Sequence, residues 1–368
     1  MRIGIDCRMA GTGEGIARYL EELVANLALI DFENDYFLLV NTGANVKFKN
    51  QNEKFKTIPV KSRYYSFMEQ TYFIWELWRL KLDLMHFPNF NAPIFYPGRF
   101  VVTIHDIIHH RYPGRKKARI FHRLAYRVTI WAAIKRAAVM VAVSEATRQD
   151  IIKVFREKPE KIKVIYEGAG LSTRSSGVAE PVLARHNITK PFLLFVGVWR
   201  QYKNLPRLAA AFDIVRGKYQ IDAQLVLVGK VDDFYPEIKT EVMSIRHADD
   251  IRALGFVTET DLGALYRSAK IFVLPSLMEG FGLIGVEAQA AGASVAASDI
   301  PVLHEVLGNG AVFFDPASAE DMAEKIAEIW QNNAHRQALE QAALQNAGRF
   351  DWQNTARETL NVYNKVIL

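Results

Sequence analysis

The sequence predicts an α/β protein of two halves, each a parallel sheet wrapped on both faces by helices. Three observations carry that prediction. Short apolar runs alternate with amphipathic helical stretches along the whole chain. Glycine-rich turns follow several of these runs directly. The 368 residues, 50% hydrophobic and 11% aromatic, are too many for one compact core and suit two globular domains.

In the first half the periodicity predicts strands at residues 3–6, 36–40, 84–87, 100–104 and 139–143, with helices between them. In the second it predicts strands at 192–196, 224–228, 251–254, 271–274, 294–297 and 311–314. Residues 167–177, small and polar, read as the linker. Alternation of this kind puts ligands in the crevice outside the carboxyl ends of the strands, where the two halves meet.

Composition narrows the setting. Cys7 is the sole cysteine, so no intrachain disulfide can form and a reducing cytoplasm is expected. The start of the chain leads straight into a strand, which argues against a signal peptide, and no apolar run is long enough to span a bilayer. Residues 1–185 hold 29 Lys and Arg against 18 Asp and Glu, whereas residues 186–368 hold 17 against 22. Much of the excess lies in residues 111–136, where Arg111, Arg115, Lys116, Lys117, Arg119, Arg123, Arg127, Lys135 and Arg136 meet no acid. Phe121, Tyr126, Ile130 and Trp131 are interleaved. Such a helix could lie on an anionic membrane, grip a phosphorylated acceptor or be a solvated face. Nucleic acid is the weaker candidate, because no binding motif accompanies the charge. In the aromatic-rich segment 64–78 most large side chains are expected in the core, with an exposed minority seating a lipid-linked acceptor.

Residues 275–287 carry the most chemistry. Pro275 and Ser276 end an apolar strand, Gly280 and Gly282 let the backbone turn, and Leu283 opens a helix. Unpaired N–H groups at a helix start attract anions such as a diphosphate. Glu279 stands at the mouth and Glu287 about two turns in, spaced to contact different parts of one extended ligand. After the strand at 192–196, Gly197, Arg200 and Lys203 bring flexibility and positive charge to a second loop of the same kind.

Residues 275–287 resemble the E-x7-E signature of retaining glycosyltransferases of the GT-B fold, specifically the large family 4 group. The likeness runs from Arg2 to Lys365 with its motifs in the family's order. Residues 11–19 are similar to the glycine-rich acceptor-side loop and its G-I-x-R-Y ending, which marks Gly13 and Gly15; Arg18 is either an acceptor contact or a helix-packing residue. Residues 103–106 are similar to T-x-H-D, whose histidine contacts donor-sugar hydroxyls, which marks His105 with Asp106 as its support. Residues 196–208 are similar to the donor loop, with Lys203 on its lysine. Many relatives carry Arg directly after the glycine, where this chain has Val198; either Arg200 supplies that guanidinium or the site works with one cation. Residues 255–257 resemble the segment that lends backbone groups to the base, ending at Val257.

The resemblance implies two Rossmann-like domains with parallel sheets facing a central cleft. Residues 1–170 would form the acceptor domain, with helix 351–368 packing back on it, and 185–350 the donor domain. Glu279 would stabilise charge on the sugar ring or orient its hydroxyls. Lys203, Arg200 and backbone groups of Gly280, Phe281, Gly282 and Leu283 would hold the diphosphate, and Glu287 the ribose. The reaction implied is hexose transfer with retention, best matched by mannose from GDP-mannose, in surface polysaccharide synthesis. The acceptor would be a glycan or a lipid-diphosphate-linked oligosaccharide on the inner face of the membrane. A UDP-sugar is the alternative donor. A sugar-nucleotide epimerase and an idle sugar-nucleotide-binding subunit are the readings from other classes; Glu279 and Lys203 together argue against idleness, while Val198 leans toward it. No cofactor or metal is implied: there is no D-x-D at a plausible site, and His105 with His109 lacks a third ligand.

Overall fold

The computed structural model describes residues 1–12, 15–44, 46, 48–50, 52–113, 115, 120–169 and 179–367, without the side chains of Phe121 and Ala179. Gly13, Lys116, Lys117, Arg119 and residues 170–177 of the expected linker lie outside the described residues, as does the Phe121 side chain. The chain forms two compact units, Met1–Gly168 with Asp351–Leu368, and Ala169–Phe350.

The first unit holds seven parallel strands: β1 (Arg2–Asp6), β2 (Asp35–Asn41), β3 (Phe55–Val60), β4 (Leu84–Phe87), β5 (Phe100–Ile104), β6 (Val139–Ala142) and β7 (Ile162–Val164), in the order β3-β2-β1-β4-β5-β6-β7. The second holds six: β8 (Phe192–Val196), β9 (Gln224–Val228), β10 (Ile251–Gly255), β11 (Ile271–Leu274), β12 (Val295–Ser298) and β13 (Ala311–Phe314), in the order β10-β9-β8-β11-β12-β13. Interior strands such as β5, β8 and β9 are buried along their whole length, which is why they read as unbroken apolar runs. The two strands the periodicity did not predict, β3 and β7, are sheet edges. Pro59 and Lys56 in β3 are tolerated there because an edge needs neither every N–H nor a second buried face, and β7 has only three residues.

The last helix, Trp352–Ile367, packs against the helix Gly15–Ile30 of the same unit. A buried polar chain anchors it: Tyr363 Oη lies 2.6 Å from His86 Nδ1, and His86 Nε2 lies 2.8 Å from Thr103 Oγ1. Burial pushes His86 down to about 3, so it sits there neutral.

Two expectations fail. Segment 64–78 is mostly a surface: Phe73 and Leu77, one helical turn apart, are buried, while Tyr65, Phe67, Met68, Trp75 and Trp78 are exposed. A helix as short as Tyr72–Arg79 buries one narrow stripe and leaves its other faces outside. The expected linker does not begin at residue 167 either. Glu167 is buried against His105, and Gly168 lies so close to Trp352 that a Cβ there would come 2.4 Å from its backbone nitrogen.

Candidate active site

In the second unit the chain runs from β8 outward to β9 and β10, then returns across β8 to β11. The topological switch point therefore lies between β8 and β11, the position at which open α/β sheets take their ligands. Four neighbouring strands deliver a glycine with positive φ to that edge: Gly255 at the end of β10 (67°), Gly229 after β9 (126°), Gly197 after β8 (152°) and Gly282 in the turn after β11 (84°). Gly229 must be glycine, since a Cβ there would sit 2.1 Å from Gly197 O. Gly282 gives the helix Leu283–Ala290 an N-cap that has no side chain to bond the first turn. Its first internal bond is Gly285 N to Gly282 O at 2.8 Å, which leaves the Leu283 and Ile284 amides ahead of the helical ladder, suited to an anion. The chain bends at Gly280 and Phe281, and of the two glycines only Gly282 takes a positive φ.

Lys203 and Glu279 come together at the switch point. Lys203 ends a short 3₁₀ turn, Gln201–Lys203, and Leu277 N donates to Tyr202 O at 2.7 Å, binding that turn to the loop after β11. Lys203 Nζ is then 2.6 Å from Glu279 Oε1, and Ser276 Oγ donates to the same oxygen at 2.6 Å. The two ionic side chains are 12% and 10% exposed, so the pair is desolvated yet reachable. Arg200 faces elsewhere, its Nε donating to Asp232 in the loop after β9 at 3.0 Å. Glu287 is 2% exposed, with Tyr266 Oη donating to its Oε2 at 3.4 Å. Phe281 packs edge-on against Phe350, Val257 is buried, and Val198 is partly exposed.

In the first unit His105 follows β5. Its Nδ1 is 2.9 Å from Glu167 Oε1 and its Nε2 2.9 Å from Pro88 O. Both partners are acceptors, so the ring carries a proton on each nitrogen. Burial opposes that charge, but the bond to and charge of Glu167, the Pro88 carbonyl and Asp106 outweigh it and raise the pKa. His105 can therefore offer positive charge; it has no lone pair to act as a base. The edge of the Tyr19 ring packs on it at 4.8 Å. Asp106 Oδ1 accepts from Ile108 N at 2.8 Å, Gly15 begins the first helix, and Arg18 is half-buried in its first turn.

The sequence reading missed a second charged cluster, at the first sheet's own switch point between β1 and β4. Arg8 is fully buried and grips Asp6 with two bonds (2.8 and 2.7 Å) and Glu69 with one (2.6 Å). Asn91 Nδ2 also donates to Glu69, at 2.7 Å, and the guanidinium lies over the Phe73 ring at 3.8 Å. Burial, with the neighbouring Asp6 charge, lifts Glu69 to about 7 against the pull of Arg8. The one available signal was Asp6-x-Arg8 at the end of the first strand, two charges where a buried strand ends.

Two doubly wound parallel-sheet units, the second with a cation and a carboxylate at its switch point, define a two-domain Rossmann-like class of fold, and comparison with known proteins specifies it. The model of the group 1 glycosyl transferases matches residues 183–346, and that of glycosyltransferase family 4 matches residues 13–172. The chain belongs to this group 1 and family 4 assembly and is a GT-B glycosyltransferase. It is 27% identical over 296 residues to the O-antigen chain mannosyltransferase B of Escherichia coli, covering 78% of this chain and 76% of that one. It is 26% identical over 284 residues to the serotype-specific mannosyltransferase WbdA of Escherichia coli, covering 74% of this chain but only 34% of WbdA. Among solved structures, the sucrose-phosphate synthase of Thermosynechococcus elongatus superposes with a TM-score of 0.80 at 20% identity over 100% of this chain and 99% of that one. Anabaena Alr3699/HepE in complex with UDP-glucose gives 0.78 at 17% identity, over 99% and 100%.

Proposed function

We propose that this glycosyltransferase moves mannose from GDP-mannose, with retention at the anomeric carbon, onto a glycan or lipid-diphosphate-linked acceptor during surface polysaccharide synthesis. The observation that carries this reading is the Lys203–Glu279 pair beside the uncapped helix start at the second switch point. The mannosyltransferase relatives support the choice of sugar.

In the reaction the bond from C1 to the diphosphate oxygen breaks while the acceptor oxygen bonds C1 on the same face. The acceptor proton passes to an oxygen of the departing phosphate. Lys203 and the Leu283 and Ile284 amides take up the charge that grows on the diphosphate, an interaction stronger in the transition state than in the ground state. Glu279, released from Lys203 as the lysine turns to phosphate, faces the positive charge on the sugar ring or orients its hydroxyls. Glu287 accepts from the ribose hydroxyls, Gly197 and Val257 lend backbone to the donor, and the His105 imidazolium with Asp106 meets the sugar hydroxyls. Gly15 and Arg18 belong to the acceptor side. Arg200, held by Asp232, positions the donor loop.

The test is a nucleotide-release assay over GDP-mannose and a set of UDP-sugars, with the product anomer read by NMR. Release from GDP-mannose with an α-linked product is expected. Release from a UDP-sugar alone rejects the donor and installs the UDP-dependent reading, which the likeness to HepE with UDP-glucose supports. Sugar interconversion without nucleotide release would make the protein an epimerase.

A further inference from the structure

The helix Ile120–Arg136 contains no acidic residue, and in its first half Tyr126 packs on Phe90 while Ile120, Arg123, Leu124, Arg127 and Val128 are exposed. Ile120 (76%), Leu124, Val128 and Trp131 (55%) are exposed, and spacings of four, four and three put them on one face. Arg123 and Arg127 lie within about a turn of that face. The nearby carboxylates are taken by other cations, Asp150 by Arg111 (3.2 Å) and Glu157 by Lys135 (3.0 Å). Among the described residues none is in ion-pair range of Arg123 or Arg127.

Beside this face is a groove of about 440 Å³, lined by His110, Arg127, Val128, Trp131, Val154 and Phe155. His110 Nδ1 is buried with no hydrogen-bond partner. Burial, then Arg127 and Arg111, hold that imidazole below its ordinary pKa. The groove thus has a polar nitrogen lacking a partner and a cation lacking a counter-charge, and one anionic oxygen group meets both needs. Its remaining walls are hydrocarbon and aromatic, so the anion that fits is one joined to an apolar body.

We infer that this face docks on an anionic phospholipid bilayer, with a lipid phosphate held in the groove between Arg127 and His110, Trp131 at the headgroup boundary and Ile120 and Leu124 in the interface. Cations and apolar residues on one helical face match the chemistry of that surface. The inference rests on the proposed function for its purpose, since a lipid-linked acceptor presents its sugar at such a surface.

The test is co-sedimentation with phosphatidylcholine vesicles made with and without phosphatidylglycerol. The wild-type chain is expected to bind only the anionic vesicles. Arg127→Glu should weaken binding by about tenfold or more, and Trp131→Ala should weaken it too. Lys239→Glu, the same charge change on an exposed helix of the second unit, should leave it unaltered. Nucleotide affinity, read on the same preparations, shows that each variant is folded. Equal loss in Arg127→Glu and Lys239→Glu, or equal binding to both kinds of vesicle, overturns the inference. So does a self-associated wild type that becomes monomeric in Leu124→Asp, since the face would then belong to a second copy. A chain that fails on vesicles but releases nucleotide from its donor loses only the docking surface. One that docks but releases no nucleotide loses the proposed function.

Discussion

Replacing Lys203 by alanine should weaken binding of the donor's nucleoside diphosphate by more than the loss of one hydrogen bond. A charge-assisted hydrogen bond contributes about 1.5–3 kcal/mol, or roughly 13- to 160-fold in Kd. Lys203 is also the cation that covers Glu279, 2.6 Å away with both groups largely out of water. In Lys203→Ala the Glu279 carboxylate stays in place, fixed by Ser276, and faces the incoming diphosphate uncovered. Two like charges at ~5 Å and an effective dielectric of ~20 repel by about 3 kcal/mol before solvent and salt reduce it. The single variant should therefore fall at or beyond the upper end of that range, and Lys203→Ala/Glu279→Gln should recover part of the loss. Isothermal titration of GDP and UDP against the wild type, both singles and the double gives the coupling directly. Affinity unchanged within threefold in Lys203→Ala refutes the donor site. Strict additivity in the double refutes the role given to the pair.

Further outcomes are expected at three places in the fold. Gly229→Ala, whose Cβ would meet Gly197 O at 2.1 Å with φ at 126°, should cost about 3 kcal/mol and lower the melting temperature by roughly 6–12 °C; an unchanged melting curve would show that the loops after β8 and β9 yield easily. Arg8→Met strands two buried carboxyl groups and should cost about 3–5 kcal/mol in denaturant titration, whereas Glu69→Gln keeps an acceptor for Arg8 and should be mild at pH 8. Glu69 holds its proton up to about 7 in the folded chain, so its contribution to stability falls as pH rises from about 4.5 to 7, and Glu69→Gln should remove that slope. His105 has a dependence of the same sign at higher pH: its raised pKa adds stability that is complete below about 6.5 and lost as pH climbs through the folded value, so Glu167→Gln should destabilise more at pH 6 than at pH 8.5.

Legibility in the sequence followed burial and locality. Strands buried on both faces announce themselves as apolar runs, and the helix Leu283–Ala290 was readable because Gly282 and the strand before it are adjacent in sequence. Edge strands β3 and β7 follow no such pattern, since an edge accepts Pro59, Lys56 and a three-residue length. Side-chain pairing was the least legible. Nothing in the order of residues says that Lys203 meets Glu279 across 76 positions, that Arg200 turns to Asp232, or that Arg8 reaches Glu69 across 61. Each needs the sheet order first. Aromatic spacing misled in segment 64–78; on the basic helix Ile130 is buried, Tyr126 packs edge-on against Phe90 and Trp131 is exposed.

The two switch points show what separates a site from a scaffold. Both place a cation against carboxylates at the carboxyl edge of a parallel sheet, yet they differ in reach. Around Arg8 the side chains of Arg8, Asp6 and Glu69 are 0%, 6% and 3% exposed, and the guanidinium is closed over by Phe73. Any ligand there would have to part a buried pair, and an ion left alone in such surroundings costs more than a single new contact returns. The cluster therefore serves to fix the loops after β1 and β4. Around Lys203 the pair is partly open, bound to a turn and a loop instead of sealed in the core, and next to amides that already favour negative charge. In the proposed reaction a phosphate would take the lysine from Glu279 there, and the exchange would free the carboxylate at the moment the sugar begins to carry positive charge. A group that acts on a ligand must be able to give up its partner in the protein, and of the two switch-point clusters the one placed to do so is that at Lys203.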